Sequence, residues 1–130
     1  MKKLFIFGIG SLTGSKLALL AKKDFQVFGS YNLRNPNIDI EKIKLDILNY
    51  NKVKEVLISK HPDIIVNACA INNVDYCENH KEEVKQINAD FIEYLADISN
   101  LINAKLIHLS SDSVFDGTKK EPYQEVDQPN

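Results

Sequence analysis

Apolar positions along the chain come in short runs whose spacing switches between two periods. Residues 4–7 are uninterruptedly apolar and stop at Gly8, as expected of a strand buried on both faces of a parallel sheet. In residues 15–23, Leu17, Leu20 and Ala21 share one face and predict a helix. Residues 26–29 read as a second short strand, and Pro36 makes 31–37 a loop. Residues 43–45 predict a third strand, whose neighbouring lysines suggest an edge position. Val53, Val56 and Leu57 give residues 49–60 an inward helical face that ends before Pro62. The triplet Ile64, Ile65, Val66 marks a strand over 63–67. Val84, Ile87, Phe91, Leu95, Ile98 and Ile102 then recur through the longest predicted helix, about 82–102, and residues 105–109 form the last strand.

Strands that alternate with helices imply parallel pairing, because parallel neighbours need crossover connections. The predicted fold is α/β, a Rossmann-like doubly wound parallel sheet of about five strands in the order 3-2-1-4-5. At 130 residues the chain fits one domain. Residues 118–130 are expected to be an irregular tail.

Composition narrows the function by exclusion. A net charge of −2, with no basic run longer than a pair, gives no electrostatic case for nucleic acid or an anionic membrane. No apolar stretch is long enough to span a bilayer. The opening MKKLFIFGIG reads as a strand, since Gly8 and Gly10 interrupt a short apolar run. Cys69 and Cys77 have no companions at zinc-ligand spacing, so no metal site is expected. Free thiols fit a reducing cytoplasm, the expected location. His61 and His80 read as surface residues, and His108 as part of the last strand.

Candidate chemistry gathers where strands end. Gly8, Gly10, Ser11, Leu12 and Gly14 form a glycine turn between the first strand and a helix. Such a turn either lets a backbone approach a pyrophosphate or is a tight turn without a ligand. After the second strand the chain reads Ser30-Tyr31-Asn32-Leu33-Arg34, with no acid for a ribose diol and one arginine for a 2′-phosphate. This favours NADP(H) over NAD(H), although a solvated loop arginine fits the same residues. Asp46 and Ile47 follow the third strand, either to meet an adenine or to begin the next helix, a task for which Asn49 competes. Ala68, Cys69 and Ala70 leave room for a flat cofactor. Asn88, in mid-helix, faces solvent or bonds the loop around Ser111. Ser110 and Ser111 close the last strand, where a hydroxyl can hold a carbonyl oxygen during hydride transfer. The usual proton donor of that chemistry is a Tyr-x-x-x-Lys pair, and the only match, Tyr50 to Lys54, lies on a helix flanking the sheet.

These motifs resemble the extended short-chain dehydrogenase/reductases, and among them the dTDP-4-dehydrorhamnose reductase (RmlD-like) family. The similarity is strongest at Pro62–Ala70 with Val74, Asp75 and Glu78, at Gln86–Ala89, and at Leu109–Thr118 with Pro122, Tyr123 and Glu125. The resemblance implies NADPH-dependent reduction of the 4-keto group of a nucleotide-linked deoxysugar. It places Ser111 on the catalytic Thr/Ser and Asn88 on the helix asparagine. It puts Asp46, Ile47, Ala68, Cys69 and Ala70 on cofactor contacts, and Asp112, Ser113 and Phe115 near the substrate. Ser11 replaces the family's middle glycine, and Ser113 stands where the family has tyrosine. The family's Tyr-x-x-x-Lys is expected beyond Asn130, so these residues are expected to be a dinucleotide-binding portion with little turnover. A non-catalytic dinucleotide-binding relative and an α/β module without a ligand are the other readings. One unpaired sheet edge leads to the expectation of either a homodimer or marginal stability.

Overall fold

The computed structural model describes residues 1–130. Five strands, β1 (Lys3–Phe7), β2 (Gln26–Tyr31), β3 (Glu41–Lys44), β4 (Ile64–Asn67) and β5 (Lys105–His108), pair in parallel in the order β3-β2-β1-β4-β5. That is the predicted topology, with β3 at an edge. The register couples Phe7 to Ser30 and to Asn67, and Asn67 to His108, so these strand ends share one sheet border.

Side chains of β1 alternate between two cores. Leu4 and Ile6 join Val27, Val66 and Ala18 of α1 (Leu12–Ala21) on one face. Phe5 and Phe7 join Ile65, Val53 and Leu57 of α2 (Tyr50–Lys60), and Phe91, Leu95 and Ile98 of α5 (Phe91–Leu101), on the other. Helices on both faces explain why β1 and β4 read as continuous apolar runs. Phe91 meets Phe7 edge-on, with ring centroids 5.4 Å apart, the arrangement aromatic quadrupoles prefer.

Several element boundaries differ from expectation. Helix α1 opens at Leu12 rather than near residue 15, because Ser11 caps it and pulls the glycine turn into its first turn. The third strand starts two residues early and ends one early, its amides set by pairing with β2 rather than by apolar pattern. Asn49, not Asp46, caps α2, its side chain accepting from the Lys52 amide at 3.1 Å. A short helix, α3 (Val74–Asn79), was not legible, having no buried residue to give it a pattern. The long helix is real but changes winding: α4 (Lys81–Lys85) passes through a π-wound turn, Gln86–Asp90, into α5. A single widened turn of this kind leaves the apolar recurrence nearly intact, so sequence spacing does not reveal it.

The tail carries no strand or helix after the 3-10 turn Asp112–Val114, and it folds back on itself. Phe115 and Tyr123 stack with centroids 4.1 Å apart. Asp116 accepts from the Thr118 amide, the Thr118 hydroxyl and the Tyr123 hydroxyl, and these donors hold its carboxyl below the usual range.

Candidate functional site

The turn after β1 is built around one carbonyl on each side. Gly8, at φ +85°, and Ile9 both donate their amides to the Ser30 carbonyl, at 3.1 and 3.0 Å, which ties the turn to the end of β2. The Ser11 amide and hydroxyl both donate to the Gly8 carbonyl, at 3.0 and 2.8 Å. The same hydroxyl accepts from the buried Gly14 amide at 3.0 Å. A glycine at position 11 would keep the amide bond but lose both hydroxyl bonds. The amides of Gly10, Leu12 and Thr13 have no partner in the chain. They stand at the N-terminus of a ten-residue helix, where the backbone dipole favours an anion. These unpartnered donors fit a pyrophosphate.

Two hollows meet beside this turn. A cleft of about 360 Å³ runs over β2 and β3 and is lined by Gly8, Gly10, Ser11, Tyr31, Arg34, Asp46 and Ile47. A cavity of about 750 Å³ runs over β4 and β5 and is lined by Ser11, Leu12, Asn88, Ser110, Ser111 and Ser113. Ala68, Cys69, Ala70 and Ile71 line both, so the two form one groove along the carboxyl border of the sheet. Open parallel sheets bind ligands on this border, where connections diverge to opposite faces.

The structure therefore brings the predicted residues together along the groove except for Gly14, Asp112 and Phe115, and it gives Asn88 a different partner. Gly14 is buried beneath the turn rather than in the groove. Asp112 and Phe115 line a separate hollow of about 310 Å³, which Ser113 shares. Asn88 does not bond the loop around Ser111, nor is it simply solvated. Its Oδ1 accepts from the Ile71 amide at 2.9 Å and its Nδ2 donates to the Ile71 carbonyl at 2.8 Å. The reason lies in the fold: the π-wound turn faces the end of β4, so the nearest unpaired backbone belongs to Ile71.

Individual groups have distinct environments. The Asp46 carboxylate accepts from the Leu48 amide at 3.0 Å through one oxygen, and its other oxygen has no partner in the chain. Burial pushes the Cys69 thiol up to about 12, so it stays protonated and lines the groove as a neutral surface. The Ser111 hydroxyl accepts from the Ser113 amide at 3.2 Å and caps the 3-10 turn, remaining exposed at the mouth of the cavity. Tyr50 stacks on Tyr94 at 4.3 Å and accepts from its hydroxyl through the backbone, and neither Tyr50 nor Lys54 reaches the groove. Ile71 and Ile87 line the groove without any sequence signal, because their apolar character already suits a core.

The family described as the RmlD substrate binding domain matches residues 1–130. The chain belongs to this family. Among curated relatives of this RmlD-family chain, the dTDP-4-dehydrorhamnose reductase of Aggregatibacter actinomycetemcomitans is 32% identical over 127 residues, covering 98% of the chain and 40% of the relative. Methionine adenosyltransferase 2 subunit beta of Bos taurus is 39% identical over 87 residues, covering 67% of the chain and 26% of the relative. A solved structure of a hypothetical dTDP-4-dehydrorhamnose reductase from Sulfolobus tokodaii superposes with a TM-score of 0.89 at 34% identity, over 100% of the chain and 46% of the other. The reductase of Bacillus anthracis, solved in complex with NADP, superposes with a TM-score of 0.80 at 29% identity, over 98% and 42%. The RmlD-family chain thus spans less than half the length of the relatives it matches. No helix in it is long and apolar enough to cross a membrane.

Proposed function

We propose that residues 1–130 are the NADP(H)-binding domain of a reductase acting on the 4-keto group of a nucleotide-linked deoxysugar. The observation that carries this reading is the continuous groove, with an anion-ready turn at its centre, Arg34 at one end and Ser111 at the other. Gly10, Leu12 and Thr13 present their amides to the pyrophosphate. Ile47 and the free Asp46 oxygen receive the adenine, and Tyr31 with Arg34 the phosphorylated ribose. Ala68–Ala70 and Ser110 flank the nicotinamide half. The bound cofactor supplies the hydride. Ser111 donates a hydrogen bond to the carbonyl oxygen as it gains charge, and Asp112, Ser113 and Phe115 contact the sugar nucleotide. Residues 118–130 lead towards the part of the protein that completes this substrate site. Because no tyrosine–lysine pair reaches the groove, the proton for the new alkoxide comes from outside these residues.

Fluorescence titration tests the cofactor assignment. The chain is expected to bind NADPH more tightly than NADH, and Arg34→Ala to weaken NADPH about tenfold while changing NADH less than twofold, as loss of a charge-assisted phosphate contact predicts. Equal weakening of both would remove Arg34 from the 2′-phosphate. With dTDP-4-dehydrorhamnose added, the 130 residues are expected to oxidise NADPH no faster than the buffer does, and sustained turnover would refute an external proton donor.

A second reading rests on the similarity to methionine adenosyltransferase 2 subunit beta, in which the dinucleotide would be a structural ligand rather than a reactant. NADPH binding by the whole protein without reduction of the sugar nucleotide would favour it.

A further inference from the structure

The ends of β4 and β5 hold a polar pair that no step above uses. Asn67 is 1% exposed, and the sheet register places it opposite His108. Its Oδ1 accepts from the Cys69 amide at 3.0 Å, and its Nδ2 lies 3.3 Å from His108 Nδ1. The direction of this chain is forced. A backbone amide only donates, so the oxygen of Asn67 must face Cys69. The amide nitrogen of Asn67 then faces the imidazole, and it too only donates. His108 Nδ1 must therefore be bare, and the neutral ring carries its single proton on Nε2. His108 also lines the larger cavity, together with Ser110, Ser111 and Asn88.

We propose that Asn67 and His108 are positioning residues for the dinucleotide: a one-way hydrogen-bond chain from the Cys69 amide through Asn67 to His108 fixes the Ala68–Ala70 loop and requires a neutral imidazole. This proposal rests on the dinucleotide reading of the groove. Cys69 belongs to the Ala68–Ile71 stretch shared by both halves of that groove, so its amide helps set where the loop stands. Protonating His108 would put a donor on Nδ1 opposite the Asn67 donor. Rotating Asn67 to accept that proton would turn its amide nitrogen against the Cys69 amide. Either way one bond is lost, and the loop is released.

Surrounding charges do not oppose this picture. Burial alone lowers the His108 pKa below its usual value. Strand β4 carries no titratable side chain, the other charged group on β5 is Lys105, and the π-wound turn and α5 offer Asp90, Glu93, Tyr94 and Asp97, none of which shifts His108. Cys69, the remaining titratable group on the cavity wall, stays a thiol. A histidine pKa lowered by folding means the neutral form is preferred in the native state. Its contribution is whole above the unfolded value near 6.5 and is lost as pH falls through the lower folded value.

Nitrogen NMR of the labelled chain reads the tautomer directly, since only three histidines are present. Wild type is expected to show His108 protonated on Nε2 alone at pH 7.5. Asn67→Asp keeps an acceptor for Cys69 but presents a second oxygen to the ring, so the proton should move to Nδ1 and the His108 pKa should rise. NADPH titrations from pH 7.5 to 5.5 supply the second readout. His108→Asn, whose side-chain oxygen can accept from Asn67, should bind within twofold of wild type at pH 7.5. Wild type should then lose at least threefold relative to this variant by pH 5.5, a comparison that cancels titration of the ligand's own phosphate. His108→Phe, which cannot accept, should bind about fivefold more weakly at every pH. A wild-type proton on Nδ1, or parallel pH profiles for wild type and His108→Asn, would overturn the proposal. If wild type binds no NADPH, the dinucleotide reading falls and the positioning role with it, whereas binding with the wrong tautomer defeats only the positioning role.

Discussion

Replacing Gly8 by valine is expected to abolish NADPH binding and to lower stability by about 2–5 kcal/mol. Two separate costs add at this position. At φ +85° an L side chain is strained by about 1–2 kcal/mol, more for a β-branched one. A Cβ there would also lie 2.9 Å from Cys69 Sγ and 3.0 Å from the backbone carbon and oxygen of Ala68. The thiol can turn aside, but the Ala68 backbone belongs to the loop between the two halves of the groove, so relief would move the site itself. Gly117 separates the two costs, because it has φ +77° and nothing within 4 Å of its would-be Cβ. Gly117→Ala should therefore lose only about 1 kcal/mol and bind NADPH normally, while Gly8→Ala should lose more and bind weakly. Denaturant midpoints and cofactor titrations on both variants check this. Equal behaviour would show that backbone strain alone, and not the approach of Ala68, makes Gly8 necessary.

Asn88→Leu is expected to cost about 2–4 kcal/mol and to weaken NADPH about tenfold. The two bonds from its amide satisfy both backbone groups of Ile71, and leucine of similar shape would leave the Ile71 amide unpaired and its carbonyl with only the weak Cys77 thiol contact at 3.6 Å. The effect should exceed that of a surface helix substitution, because Ile71 lines both halves of the groove. Asn88→Asp is the informative companion: it can still accept from the Ile71 amide but sets a carboxylate against the Ile71 carbonyl. Its stability should fall between wild type and leucine, and a leucine variant as stable as wild type would remove the clamp from the account.

Much of this was legible in the chain. Leu4–Phe7 and Ile64–Val66 are apolar without alternation because helices cover both faces of their sheet, and together with the alternation of strands and helices that predicted a parallel, doubly wound fold. The residues around Ser111 pointed to the family because a site's chemistry is local in sequence. Asn88 was harder. Its type marked it as unusual within a helix, but its partner lies 17 residues away, and only the packed position of the π-wound turn selects Ile71. Ser11 was a departure from a glycine pattern in the sequence, and in three dimensions it is the residue that closes the turn. His108 carried no signal, since a histidine ending a strand is chemically silent until its neighbour is known.

The sequence by itself determined the strand order, the main helices, the family and the residues that gather at one border of the sheet, because apolar period and turn chemistry act between near neighbours. Only the tertiary structure decided which donor meets which acceptor: Asn88 on Ile71, Asn67 between Cys69 and His108, three amides left free beside Ser11. Hydrogen bonds are directional and act over about 3 Å, so they depend on distances that strand register and helix packing set and that no local pattern encodes.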